Sequence, residues 1–171
     1  MAERTPDRIW HHDLRAMLEW YEQNLFNVKL VDPRGHTVRF SIERFPHSIK
    51  LLRKNSTLEV NNPKKQALAI RAGAKTNADF GGYDTERVQT FPWVIPIIQR
   101  PTKIFELRAQ PLIGPDKAGD TLYVKEFDPT GRKYKFKVLV CRRVGATLLV
   151  PVTCHPRDSD HYPAHYNQVW P

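Results

Sequence analysis

The sequence predicts an α+β fold in which N-terminal helices and a small hairpin pack on a four-stranded antiparallel β-meander. Apolar residues recur at helical spacing in the first hundred residues, whereas four segments after Arg100 alternate with the period of two that is typical of strands. Turn-rich connections join these four segments in sequence order, which makes a meander their default topology. The length of 171 residues suits one domain with a proper hydrophobic core.

The first part of the chain predicts a helix, a hairpin and a short helical segment. Residues 12–26 carry apolar side chains at helical spacing, and Asp13 near the start of this helix complements the helix dipole. The runs VKLVD and HTVRFSI are joined by Pro-Arg-Gly, which predicts a β-hairpin. A short helical segment is expected after Pro46.

Two further helices are predicted before the strands. The stretch NNPKKQALAIRAGA begins with an Asn cap and a Pro in its first turn, and it ends near Gly73. Residues 75–84 are expected to form a loop. A third helix should begin at Asp84, and the prolines at positions 92 and 96 predict that it is kinked or split around Trp93.

The four predicted strands lie between Thr102 and His155 and read TKIFEL, TLYVKEF, KYKFKVLV and TLLVPVTC. The alternation places an apolar set on one face of the sheet, which must be buried: Leu122, Val124, Tyr134, Phe136, Val138 and Val140. The opposite face is expected to be half-open and cationic, with Tyr123, Lys125, Lys135, Lys137 and Leu139. Such a face is expected to bind a phosphate group of a polyanion.

Pairing through the turn DPTGR predicts that Lys125 lies opposite Lys135 and that Tyr123 lies opposite Lys137. Like charges that face each other across strands are unfavourable unless a counter-ion lies between them, which favours an anion site. A two-residue turn at Gly145-Ala146 would place Thr153 on the core side, opposite Val138. An odd or bulged turn would place Thr153 on the Lys125 face, as a site on that face requires.

The overall charge favours an anionic partner. Lys and Arg exceed Asp and Glu by 27 to 18, which gives a net charge of +9. An excess of basic residues neutralises phosphates, so nucleic acid is the partner expected. The two cysteines, Cys141 and Cys154, are too few for a secreted disulfide scaffold and predict buried thiols in a reducing cytoplasm. The start of the chain lacks the apolar region of a signal peptide, and no apolar run approaches the ~20 residues that would cross a bilayer, so no membrane partner is expected.

Several enzyme classes lack their motifs in this chain. There is no GxGxxG, P-loop, HExxH or GxSxG pattern, so dinucleotide binding, P-loop phosphoryl transfer and serine-hydrolase chemistry are without support. His155, His161 and His165 lie near Cys154, but their spacing matches no standard zinc site. We therefore predict no metal and no cofactor.

The order of these segments resembles a small nuclease superfamily. A hairpin that leads to a histidine (VRFSIERFPHSIKLL) is followed by helices, by Arg-Pro-x-x-Ile, and by four strands (RPTKIFEL, LYVKEF, KFKVLV, LLVPVTCH). The pattern resembles the group of barnase, EndoU, colicin-type tRNases and RelE-like ribonucleases, and most of all its phage-associated and polymorphic-toxin branch. The resemblance spans residues 28–155, with residues 1–10 as a flexible N-terminus and 156–171 as a C-terminal tail of one domain, 1–171.

The resemblance implies which residues act. His47 matches the branch's histidine after the hairpin, Arg100 the basic residue before the first meander strand, and Lys125 the lysine of the second strand. Thr153 matches the Ser or Thr near the end of the fourth strand. The branch often has an aromatic residue shortly afterwards, whereas this chain continues with Cys154 and His155, so that His155 either replaces or supplements a catalytic group.

The function implied by the resemblance is metal-independent cleavage of RNA, in which the ribose 2′-hydroxyl attacks the adjacent phosphate. This chemistry needs a base, an acid and cations around the phosphorane, roles that the histidines, the basic residues and Thr153 can fill. Tyr123, Lys135 and Lys137 are expected to bind RNA. The resemblance also implies an acidic immunity or antitoxin protein as a partner, and the residues indicate no particular oligomeric state. The alternative is a non-catalytic RNA-binding or phage-structural accessory module.

Overall fold

The computed structural model describes residues 6, 12–108, 120–128, 135–160 and 166–171. The chain divides into two compact units. The first consists of Met1–Pro6, Leu30–Arg39 and Trp93–Pro171, and the second of Asp7–Lys29 and Phe40–Pro92. Residues 109–119 of the connection between the first two predicted strands, most of the DPTGR turn, Tyr134, His161 and His165 lie outside the described residues.

The first unit contains a mixed sheet of seven strands. Nine strands are described in the chain, of which β3 and β4 belong to the second unit: β1 (Leu30–Val31), β2 (Thr37–Val38), β3 (Leu52–Arg53), β4 (Phe80–Gly82), β5 (Lys103–Leu107), β6 (Thr121–Glu126), β7 (Phe136–Arg143), β8 (Leu148–Arg157) and β9 (Tyr166–Trp170). The order in the large sheet is β1-β2-β8-β7-β6-β5-β9, and only the β2–β8 pair is parallel.

The α+β class is confirmed, but the prediction of a four-stranded antiparallel meander was wrong about the size and type of the sheet. The four expected strands are its centre, β5 to β8. The N-terminal hairpin continues the sheet, because β2 pairs with β8 and the Arg39 N–H donates to the Leu149 carbonyl at 2.8 Å. The tail supplies β9, which pairs with β5. Both additions satisfy backbone groups that would otherwise lie unpaired along strand edges.

The helices follow the predicted pattern, except that the short helix expected after Pro46 begins before it, at Arg44, and ends at Ser48. They are α1 (Leu14–Tyr21), which continues into a π-helical turn at Glu22–Phe26, α2 (Arg44–Ser48), α3 (Pro63–Arg71), α4 (Thr85–Gln89) and α5 (Phe91–Gln99). Asp13 caps α1 by accepting a hydrogen bond from the Ala16 N–H, and Asn62 caps α3 in the same way. The last predicted helix is split as expected, although at Thr90, and Trp93 lies within α5. No helix within the described ranges combines the length and the apolar character needed to span a bilayer.

The apolar face at the centre of the sheet is buried as predicted, with a core of Phe105, Leu122, Val124 and Val138. The opposite face is buried as well, so the prediction of a half-open cationic surface was wrong. Lys125 and Lys137 are only 6% and 4% exposed. The register also differs from the predicted one, because Lys125 pairs with Lys137 and Tyr123 with Leu139.

Helix α5 explains why this second face is covered. The Lys137 ammonium lies 4.8 Å from the centre of the Trp93 ring, near the start of α5. The Lys125 ammonium donates a hydrogen bond of 2.6 Å to the carbonyl of Arg100, the residue after the end of α5. The two lysines therefore bind the two ends of the helix, one by a cation–π contact and one at the negative end of the helix dipole.

The carboxylate of Asp32 joins the N-terminal hairpin to the sheet. Asp32 is buried and accepts hydrogen bonds from the backbone N–H groups of Arg34 and His36, which close the turn between β1 and β2. It also accepts hydrogen bonds from the Arg34 guanidinium and, at 2.9 Å, from the hydroxyl of Tyr123 on β6. Arg34 in turn donates to Glu106 on β5 at 2.7 Å. Burial raises the pKa of Tyr123, so its hydroxyl stays protonated and donates.

The Asp32→Asn variant should be strongly destabilised. The amide keeps one acceptor oxygen but removes the buried one of the two carboxylates that pair with Arg34, and loss of one partner of a buried pair costs about 3–5 kcal/mol. Tyr123→Phe removes only one donor and should lower the free energy of unfolding by about 1 kcal/mol. Urea unfolding of the two variants and the wild type measures the difference. Equal small losses in both variants would contradict the central role of Asp32.

Candidate active site

The predicted site residues are divided between the two units. The first unit contains Arg100, Lys125, Thr153 and His155, together with Tyr123, Lys135 and Lys137, whereas His47 belongs to the second unit. Within the first unit the question is which of these side chains share a face of the sheet, because only those can act on one phosphate.

Thr153 and His155 lie on the opposite face of the sheet from Lys125. Thr153 pairs with Val140 and His155 with Val138, and residues directly opposite each other in an antiparallel pair project to the same side. The register shifts after this point, because Cys141, the next residue along β7, pairs with Pro151. This bulge lies between Thr153 and the turn that joins β7 to β8, so Thr153 stays on the same face as Val138. The expectation that a bulged connection would bring Thr153 to the Lys125 face was therefore wrong.

The cations on the Lys125 face have partners inside the unit. Lys125 and Lys137 hold α5 as described above, and the Tyr123 hydroxyl is bound to Asp32. Lys135 is more exposed, but it forms an ion pair of 2.7 Å with Glu126 and lies 5.4 Å from the centre of the Phe136 ring. Charges used in this way stabilise the fold and leave little of this face for a ligand.

The side chains at the end of β8 are more accessible. Thr153 is exposed, and His155 is half-buried. Burial, with a smaller contribution from the nearby Arg157 guanidinium, lowers the pKa of His155, so its imidazole is neutral at neutral pH. On the other face of the same strand, burial raises the pKa of the Cys154 thiol to about 12. The pKa of Cys141 is raised as well, so neither cysteine is an activated nucleophile.

In the second unit, His47 forms a dyad with Glu59. The imidazole Nδ1 lies 2.8 Å from the Glu59 carboxylate oxygen Oε2, and both side chains remain 40–48% exposed. An ionised carboxylate only accepts hydrogen bonds, so Nδ1 carries the proton and Nε2 is left to accept one from a ligand. A carboxylate that fixes the tautomer and orientation of a histidine is the arrangement that general bases use.

A tight hairpin brings Glu59 to His47. After α2 the chain runs through Leu51 and β3, turns at residues 54–57, and returns, with the Val60 N–H donating to the Leu51 carbonyl and the Arg53 N–H to that of Leu58. Leu52 pairs with Glu59 as an isolated bridge. The Arg53 Nε also donates to the backbone carbonyl of Glu59 at 3.1 Å, which links the two strands of the hairpin.

Strand β4 supports the other edge of β3, where sequence analysis predicted a loop. Arg53 pairs with Phe80, and Leu52 with Gly82. A Cβ atom on Gly81 would lie 2.3 Å from the Arg53 carbonyl oxygen, so only glycine permits this approach. The glycine at position 81 therefore allows β4 to pack against β3, which belongs to the hairpin that carries Glu59.

The dyad lies in a strongly basic segment of the chain. Residues 44–75 contain eight Lys or Arg residues and a single acidic residue, Glu59. His47 could be identified from the sequence, whereas Glu59 was missed. The sequence does contain a signal for Glu59, because it is the sole carboxylate in a long basic run and follows His47 by twelve residues. A polyanion is attracted to such a segment, in which the one carboxylate is hydrogen-bonded to His47.

Replacing Lys125 should affect stability more than RNA binding. Lys125→Met removes a charged hydrogen bond to the end of α5 and should cost about 1–3 kcal/mol. Lys135→Met, the matched control just before β7, removes an exposed ion pair and should cost less than about 1 kcal/mol. Urea unfolding and an RNA titration of each variant measure both effects. A fully stable Lys125→Met protein with weakened RNA binding would show instead that this face meets the ligand.

Among the residues that the structure describes, no group of three or more His, Cys, Asp or Glu side chains is arranged to hold a metal ion. Comparison of the chain with protein-family models, with curated proteins and with solved structures gives no match. The chemistry of the dyad and its surroundings is therefore the basis for assigning a function.

Proposed function

We propose that the protein is a metal-independent endoribonuclease in which His47, oriented by Glu59, is the general base. The observation that carries the proposal is the hydrogen bond of 2.8 Å between the His47 Nδ1 and Glu59, on the surface of a segment with eight basic residues and one acidic residue. The resemblance to the nuclease superfamily also selects His47. RNA supplies both the phosphate that the basic segment attracts and the 2′-hydroxyl that a base can activate.

The proposed reaction is an internal transesterification. The Nε2 of His47 takes the proton of a ribose 2′-hydroxyl, the 2′ oxygen forms a bond to the adjacent phosphorus, and the bond from phosphorus to the 5′ oxygen breaks. The leaving 5′ oxygen takes a proton from water, and the hydroxide that remains takes the proton of the His47 imidazolium, which restores the base. The products are a 2′,3′-cyclic phosphate and a free 5′-hydroxyl. Glu59 keeps the imidazole in the required tautomer and stabilises the imidazolium that forms.

Arg53 is placed to assist this reaction electrostatically. Its Nε donates to the backbone carbonyl of Glu59, which restrains the guanidinium on the hairpin that carries Glu59. A cation held in this way stabilises the extra negative charge that develops on the phosphorane oxygens. The proposal leaves Arg100, Lys125, Thr153 and His155 out of the catalytic step, since they belong to the other unit and Lys125 binds the end of α5.

The same segment suits an inhibitor of opposite charge. If the enzyme is a toxin that acts on cytoplasmic RNA, an acidic immunity protein that covers residues 44–75 would block the dyad and its basic surroundings together. Charge complementarity of this kind also accelerates association, which an inhibitor of a toxin requires.

The wild-type protein should cleave RNA in the presence of EDTA and leave 2′,3′-cyclic phosphate ends. His47→Ala should lower kcat/KM by about 100-fold or more, because a general base contributes on that scale. Glu59→Gln keeps a hydrogen-bond acceptor but loses the charge, and it should give a smaller loss. Electrophoresis of total RNA, end-group analysis and single-turnover kinetics on an oligonucleotide provide the measurements.

His155→Ala is the matched control, since it removes a histidine from the other unit and should leave the rate unchanged. The exposed His47–Glu59 pair contributes less than about 1 kcal/mol to stability, so the variants should stay folded, which their thermal unfolding verifies. Salt-sensitive RNA binding without any product in the wild type would identify a non-catalytic RNA-binding module. Undiminished cleavage by His47→Ala would place the base elsewhere.

A further inference from the structure

The end of α2 has a backbone geometry that normally belongs to glycine. The Lys50 N–H donates to the His47 carbonyl at 3.1 Å, and the Leu51 N–H donates to the Pro46 carbonyl at 2.9 Å. These two bonds form a Schellman motif, whose residue after the C-cap must adopt a left-handed conformation. Lys50 occupies that position with φ of 51°. Glycine is the usual residue there because a Cβ atom makes this conformation unfavourable.

The surrounding packing leaves Lys50 no alternative conformation. Ile49 and Leu51, its neighbours on either side, are both fully buried. The Ile49 carbonyl also accepts a hydrogen bond of 2.7 Å from the Asp84 N–H, which ties this turn to the start of α4. The backbone at Lys50 is therefore held in a strained region by its neighbours, and such strain is concentrated at functional sites.

The Lys50 side chain does not offset this strain by contacts in the protein. Lys50 is exposed, and its ammonium forms no ion pair with any residue in the described part of the chain. A glycine would satisfy the same two hydrogen bonds without the strain. The side chain of Lys50 is thus the feature that needs an explanation, because a cation occupies a position where stability favours glycine.

Lys50 is tied to the catalytic dyad by the turn itself. The His47 carbonyl accepts the hydrogen bond from the Lys50 N–H. Lys50 therefore lies about one helical turn after His47, and both residues are exposed. Arg53 follows three residues later and contacts Glu59. Lys50, Arg53 and Lys54 therefore lie along one short stretch of chain, residues 47–58, that contains no acidic residue.

We propose that Lys50 is an RNA-binding residue of the His47 site, which holds a phosphate of the substrate and is retained at the cost of backbone strain. This inference rests on the proposed function and deepens it. The left-handed conformation of Lys50 fixes where the chain leaves α2, close in sequence to His47. The Lys50 ammonium then binds the phosphate adjacent to the one that reacts. It supplies binding to the polyanion rather than a proton transfer.

The experiment compares Lys50→Gly with Lys50→Arg and with a control at Asn55, whose φ is also positive at 57°. Lys50→Gly should raise the Tm by about 2–4 °C, the shift that relief of one such strained residue gives in a chain of this size. It should also weaken RNA binding and lower the slope of log K against log salt by about 0.7, the value for one lost contact to a single strand. Lys50→Arg keeps the charge and should keep the slope.

Asn55→Gly relaxes a left-handed residue in the hairpin that follows α2 and removes no charge. The RNA affinity and the slope of log K against log salt should therefore stay at the wild-type values. Wild-type affinity and slope in Lys50→Gly, in a protein that cleaves RNA, would overturn the role of Lys50 and leave the proposed function intact. A lower Tm for Lys50→Gly would overturn the strain argument. A wild-type protein that neither binds nor cleaves RNA would overturn the proposed function and this inference together.

Discussion

Five hydrogen bonds converge on the buried carboxylate of Asp32, and the position of the N-terminal hairpin in the sheet depends on them. A charge removed from water must find its partners inside the protein, and the same requirement applies to Lys125 and Lys137 on the same face of β6 and β7. The hydroxyl of Tyr123 completes the set by donating to Asp32. The polar groups on this face of the sheet thus hold together the hairpin, the strands and helix α5.

This constraint separates structural charge from functional charge. Cations that hold α5 are committed to a carbonyl oxygen or an aromatic ring and are shielded from a ligand. In the second unit the charges lie at the surface, and the one carboxylate of residues 44–75 is bound to His47. The local chain supports that pair with the glycine-dependent contact of β4 and the strained turn at Lys50. Strain, basic charge and an oriented histidine occur together there, as is typical of a catalytic site.

Much of the fold follows from local signals in the sequence, whereas the site depends on contacts that local signals do not carry. The caps at Asp13 and Asn62, the hairpin turn and the four central strands could be predicted because each is specified by adjacent residues. The register of β6 on β7 depends on the connecting turn, and a shift of two residues preserves the same alternation. Burial of Lys125 could not be predicted, because a lysine on an alternating strand looks solvated until a helix covers it. Glu59 reaches His47 through a turn whose shape the sequence does not display.

The central claim is that RNA meets the exposed dyad and its basic surroundings, and that the cationic face of the sheet belongs to the fold. The most direct test is NMR mapping of a 2′-O-methyl RNA oligonucleotide, which lacks the attacking hydroxyl and stays intact on the protein. Amide chemical-shift changes on titration of the labelled protein would report where it binds. The account predicts that the largest changes fall within residues 44–60 and that β6 and β7 change little. Largest changes at residues 121–126 and 136–143, with none around His47, would contradict it.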